Sequence, residues 1–119
     1  VRKTVGKSFR KCDDDAVERL LGAGPLEAPE RWEAADPARR LPLGVPQLVL
    51  TGEFDDVVLP GHSSAYAARA REAGDDVSCR DVAGAGHFEL VAPAWASWSA
   101  VAGPISHFLE RLDAREPRD

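Results

Sequence analysis

Two glycine-led loops hold the residue types that move protons. Gly52-Glu53-Phe54-Asp55-Asp56-Val57-Val58 carries adjacent carboxylates, and Gly84-Ala85-Gly86-His87-Phe88 carries an imidazole. A carboxylate that accepts a hydrogen bond from histidine Nδ1 fixes the tautomer and stabilises the imidazolium, leaving Nε2 free as a general base. Either Asp55 or Asp56 could be that acid. Each residue alone has a plainer reading: aspartates shape turns, and a histidine after glycines is an ordinary loop residue. The pair gains meaning only if the fold brings both loops to one rim.

The elements around these loops predict such a rim. Pro46-Gln47-Leu48-Val49-Leu50-Thr51, ended by Gly52, is a short apolar run suited to a strand buried on both faces of a parallel sheet. His62 to Ala73 reads as a helix, with Tyr66, Ala70 and Ala73 at helical spacing and Gly74 as its stop. Asp76 to Val82 follows as an edge-type strand, with Val77 and Cys79 on one face and Ser78, Arg80 and Val82 on the other. A last helix, Ala94 to Leu112, aligns Trp95, Trp98, Val101, Ala102, Ile105, Phe108, Leu109 and Leu112, and Pro104 is expected to kink or split it. Trp95, Trp98, Ile105, Phe108 and Leu109 are expected to face the sheet. Residues 44–112 thus form a parallel βαβα unit, and sites in such sheets lie beyond the carboxyl ends of the strands.

Residues 13–43 read as a helical connection. Asp13 to Asp15 can cap a helix through Ala16, Val17, Leu20 and Leu21 that stops at Gly22. Pro29 opens a second short helix anchored by Trp32, and Asp36-Pro37 begins a third turn closed by Leu41-Pro42. Residues 1–12 form a basic, solvated segment with five Lys/Arg and no acid, and residues 113–119 a frayed tail.

Composition narrows the function classes. The 119 residues have 44% hydrophobic and 29% charged content, which is ordinary globular composition. Net charge is −5, and outside the basic start it reaches −10, which argues against a nucleic-acid partner. No apolar stretch approaches the roughly 18 residues of a membrane span. Cys12 and Cys79 form neither a CxxC nor a zinc spacing, so a reducing, cytoplasmic compartment is expected. No metal or cofactor site is expected. His62 and His107 read as structural, Ser63 and Ser64 as helix-capping residues.

The stretch PLGVPQLVLTGEFDDVVLPGHSSAYAARAREAGDDVSCRDVAGAGHFELVAP resembles the last two strands of an α/β-hydrolase. That family carries its catalytic acid in a G-x-x-D-x-x-V-P loop and its catalytic histidine in a G-x-x-H loop. Matched position by position, the resemblance implies Asp55 as the acid and His87 as the general base. It extends over about residues 13–112, the helical connection included. Thr51 stands where the family often has His and Leu59 where it usually has Pro, with Pro60 one place late. The sequence has no G-x-S-x-G nucleophile elbow.

The resemblance therefore implies the C-terminal portion of an esterase-like serine hydrolase, acting on a small-molecule ester or acyl substrate. Serine and oxyanion hole would come from sequence outside this chain, which alone is expected to be inactive. The alternative is a non-catalytic α/β binding or interaction module. Under the hydrolase reading the first strand lacks a second neighbour here, and self-association through the exposed sheet edge is expected, whereas a stable monomer would suit the binding module.

Overall fold

The computed structural model describes residues 15–115; the basic segment 1–12, Cys12, Asp13, Asp14 and residues 116–119 lie outside the described residues. The fold is mixed α/β, built on a two-stranded parallel sheet. Strand β1 (Gln47–Gly52) pairs with β2 (Val77–Val82) in parallel, Gln47 beside Val77 and Gly52 beside Val82. Helix α3 (Pro60–Glu72) is the crossover between them. Before β1 come α1 (Ala16–Leu21), α2 (Pro29–Ala35) and a 3-10 turn (Pro37–Arg40), and α4 (Trp98–Asp113) closes the chain.

Side chains alternate across a strand, and here each face has its own helix. Val49, Val77 and Cys79 pack against Ala67 and Ala70 of α3. Leu50 and Val82 pack on the opposite face against Val101 of α4, together with Ala85. The helix face that meets the sheet on α3 is Ala67 and Ala70, both fully enclosed, with Tyr66 beside them; Ala73 is exposed. Small side chains bring that helix close to the strands, and its stop at Gly74 has the positive φ of 102° expected there.

The core is thin. Its buried apolar residues are alanines and valines, and Val82 and Val101 are the largest fully enclosed side chains. The apolar residues of β1 are half-buried rather than covered on both faces, and among the described residues only β2 neighbours them. At the amino end of the sheet, the buried Asp75 carboxylate accepts from Leu43 N (2.8 Å), Gly44 N (2.8 Å) and Gln47 Nε2 (3.1 Å). The Tyr66 hydroxyl donates to Gln47 Oε1 at 2.6 Å, so one polar cluster ties the entry of β1 to α3 and to the start of β2.

The connection before β1 follows its turn chemistry. Gly22 ends α1 in the left-handed region, Pro29 opens α2, and the Asp36 side chain accepts from Ala38 N at 2.9 Å to start the 3-10 turn. Trp32 is half-buried, its indole N–H donating to Ala23 O at 2.9 Å.

Four expectations need correction. Helix α4 begins at Trp98 rather than Ala94, and Trp95 sits in the preceding turn with 55% of its surface exposed. The helix is not split at Pro104 but continues through it to Asp113. Pro104 costs one hydrogen bond to the carbonyl of Ala100, and Ala100 is exposed, so water can take that bond. The third correction follows from the second. The face of α4 that meets the sheet runs through Trp98, Val101, Pro104 and Phe108, leaving Leu109 half-exposed and Ile105 more than one-third exposed. The tail starts later than expected, since Asp113 is helical and Arg115 Nη1 donates to Asp76 Oδ2 at 2.7 Å.

Candidate active site

Parallel pairing sends both strands out of the sheet in the same direction, so the loops after Gly52 and Val82 share one rim. They are fastened to each other by backbone bonds. Glu53 N donates to Val82 O at 3.1 Å and Phe54 N to Ala85 O at 2.9 Å. An acidic side chain adds to the seam, Glu53 Oε2 accepting from Gly84 N at 2.8 Å, while within the histidine loop Glu89 Oε2 accepts from Gly86 N at 3.1 Å. The motif reading missed both glutamates. Their sequence signal is weak, since a glutamate in a glycine-rich loop is ordinarily solvated.

Within this frame Asp55 and His87 meet. Asp55 Oδ2 lies 3.0 Å from His87 Nδ1, although 32 positions separate them in sequence. The other carboxylate oxygen is held by its own loop, accepting from Val57 N (2.9 Å) and Val58 N (2.8 Å) as in an Asx turn. Asp55 is 6% exposed, so neither oxygen is free to wander into solvent. The neighbouring Asp56 is exposed, and it is Asp55 that bonds the imidazole.

Burial by itself would raise the carboxyl pKa of Asp55. The hydrogen bond to His87, those from Val58 and Val57, and the charge of the imidazole outweigh it, and the net shift is downward. Asp55 is therefore ionised at neutral pH and can only accept. Its partner must then carry a proton on Nδ1, so of the two neutral tautomers only the one with a bare Nε2 fits. The His87 side chain is one-third exposed, and among the described residues nothing bonds its Nε2. The ring meets Phe88 edge-on, with centroids 5.2 Å apart at 82°. Exposed Phe54, Val58 and Leu59 on the acid loop, and Phe88 and Val91 on the base loop, give both loops apolar surface.

The other candidates fall elsewhere. Ser64 Oγ donates to Pro60 O at 2.6 Å, a bond back to the first turn of α3, so it does not cap the helix; Leu59 occupies the cap position without a side-chain bond. Ser63 lies half-buried in the same turn. His62 is exposed near the start of α3, and His107 lines a groove between α4 and the sheet with Leu48, Arg80, Pro104 and Phe108. Thr51 is buried, its hydroxyl donating to Asp81 Oδ1 at 2.8 Å. Cys79 is a free thiol, half-buried against α3. Among the described residues no three metal-ligating side chains converge, and no helix is long and apolar enough to cross a membrane.

The fold and this pair define a mixed α/β protein with an aspartate–histidine dyad at the carboxyl rim of a parallel strand pair. No family model, curated protein or solved structure matches the chain.

Proposed function

We propose that this chain is the acid- and base-bearing portion of a serine hydrolase of the α/β-hydrolase type, acting on esters or related acyl compounds. The observation that carries the reading is the 3.0 Å contact between Asp55 Oδ2 and His87 Nδ1, with the second Asp55 oxygen held by Val57 and Val58. The motif order, G-x-x-D before G-x-x-H, adds to it.

In this reading His87 Nε2 takes the proton of a serine hydroxyl as its oxygen bonds to the acyl carbon. The imidazolium then gives that proton to the departing alcohol, and water repeats the sequence to release the acid. Asp55 keeps its negative charge throughout and stabilises the imidazolium. The exposed Phe54 and Phe88 supply an apolar surface suited to an acyl chain. The serine and the oxyanion donors belong to polypeptide beyond these 119 residues.

The test is hydrolysis of a chromogenic short-chain ester by this chain produced with the polypeptide encoded immediately upstream. The pair should be active and the chain alone should not. His87→Ala should abolish turnover, and Asp55→Asn should reduce it by about 10⁴-fold, because an amide favours the wrong tautomer. An active pair indifferent to both substitutions overturns the proposal, and so does an inactive pair.

A further inference from the structure

Three successive backbone N–H groups lead into His87, and each is bonded. Ala85 N donates to Val82 O at 3.3 Å, closing a turn at the end of β2. In such a turn the N–H of the third residue, here Gly84, has no partner of its own. Glu53 Oε2 takes it at 2.8 Å. Gly86 N, next in line, is taken by Glu89 Oε2 at 3.1 Å. Turn N–H groups draw anions, and here the anions are two of the chain's own carboxylates.

The two carboxylates restrain different motions. Glu53 belongs to the acid loop, two residues before Asp55, and grips the turn before His87 twice. Its side chain holds Gly84 N, and its own backbone N–H donates to Val82 O at 3.1 Å. It therefore fixes the separation of the two loops. Glu89 lies two residues beyond His87, in a 3-10 turn (Phe88–Val91) whose cap position is His87 itself. By reaching back to Gly86 it closes a ring around the histidine backbone and fixes the direction in which the side chain leaves. The approach is close: a β-carbon added to Gly86 would lie 2.9 Å from Glu89 Oε2.

We propose that Glu53 and Glu89 are positioning residues that hold the His87 ring against Asp55. The bond they protect is 3.0 Å long and joins residues 32 positions apart. The Asp55 side is already secured by Val57 N and Val58 N. The imidazole has no such support: among the described residues its ring hydrogen-bonds to Asp55 alone. Its placement therefore depends on the backbone that carries it, and that backbone is what the two glutamates hold. A misplacement of about 1 Å can cost a reaction on the order of 10²-fold.

Hydrogen bonds to a carboxylate are roughly twice as strong as those between neutral groups. Losing either one should therefore shift the balance between held and released imidazole by about tenfold. A held ring carries its proton on Nδ1, facing Asp55, and a released one is free to carry it on Nε2. Glutamine in either place keeps an acceptor oxygen for the glycine N–H. The bearing of this on turnover rests on His87 being the base proposed above, whereas the holding of the ring can be read without any substrate.

The experiment measures the ratio of the Nδ1–H to the Nε2–H tautomer of His87 by ¹⁵N NMR of the full chain at neutral pH. Glu53→Ala and Glu89→Ala should each lower that ratio about tenfold. Glu53→Gln and Glu89→Gln should restore most of it. Gly86→Ala should act as Glu89→Ala does, because its methyl group displaces the carboxylate. Asp75→Ala, which strips two backbone N–H groups of their acceptor at the far end of the sheet, should leave the ratio unchanged. If an alanine variant of a glutamate does not fold, Glu53→Asp, one methylene short of Gly84 N, and Gly86→Ala decide instead. A native ratio in the variants of both glutamates overturns the proposal. So does an equal fall in Asp75→Ala, which would mean a general loosening of the fold. A native chain whose His87 carries its proton on Nε2 overturns the reading of the site itself, and the proposal with it.

Discussion

A β-carbon added to Gly52 would lie 2.6 Å from the carbonyl oxygen of Gly86, and 2.7 Å from that of Ala85. The last residue of β1 and the loop that carries His87 are thus in backbone contact, which only a glycine permits. This approach, more than either loop's own conformation, brings Asp55 within reach of the imidazole.

Gly52→Ala should therefore force the two loops apart. The expected cost is about 1–3 kcal/mol, the range for overpacking a closed site, read from a urea unfolding midpoint. Gly61→Ala on α3, where an added β-carbon meets nothing within 4 Å, should instead stabilise by roughly 0.5–1 kcal/mol. Equal effects at the two positions would mean that the loops yield freely.

Acid should weaken the fold through Asp55. Its carboxyl pKa is held below the ordinary 3.8, so its contribution is complete above that value and is lost as pH falls through the lowered one. Unfolding midpoints compared between neutral pH and about pH 3 should fall more for the native chain than for Asp55→Asn, which has no carboxyl to titrate. Identical falls would show that the carboxylate gains nothing from its partners.

Asp75 should matter to stability and not to the dyad. Asp75→Ala leaves Leu43 N and Gly44 N without their acceptor, at an expected cost of about 1–3 kcal/mol. The NMR signals of the His87 ring should stay in place, because Asp75 lies at the opposite end of the strands. A displaced His87 signal would show that the two ends are coupled.

The anchor of α4 is Val101. Val101→Ala should cost about 1.5–3 kcal/mol, as expected for a fully enclosed valine. Phe108 is only half-buried, so Phe108→Ala should fall below the roughly 3–5 kcal/mol of an enclosed phenylalanine. Calorimetric unfolding of the two variants checks the order of burial along the helix.

The strand–helix–strand order, the alternation of Val77 and Cys79 against Ser78 and Arg80, and the two rim loops were legible because periodicity and glycine placement are local signals. Trp95 and the helix boundary near Ala94 were not. A run of apolar residues does not reveal where a turn precedes a helix, nor that Pro104 packs within one. The Asp75 cluster was also invisible, since its partners are backbone groups more than 30 positions away. Glu53 shares that difficulty, since its partner Gly84 lies on the other loop, whereas Glu89 makes a local bond to Gly86 that no motif signals.

In the proposed mechanism His87 is held by an ionised Asp55 with Nε2 free to act as a base. The ¹⁵N chemical shifts of the His87 ring at neutral pH measure this directly in the full chain. A protonated Nδ1 and a bare Nε2 are predicted, with the preference weakened in Asp55→Asn. A proton resident on Nε2, unchanged by Asp55→Asn, would contradict the account.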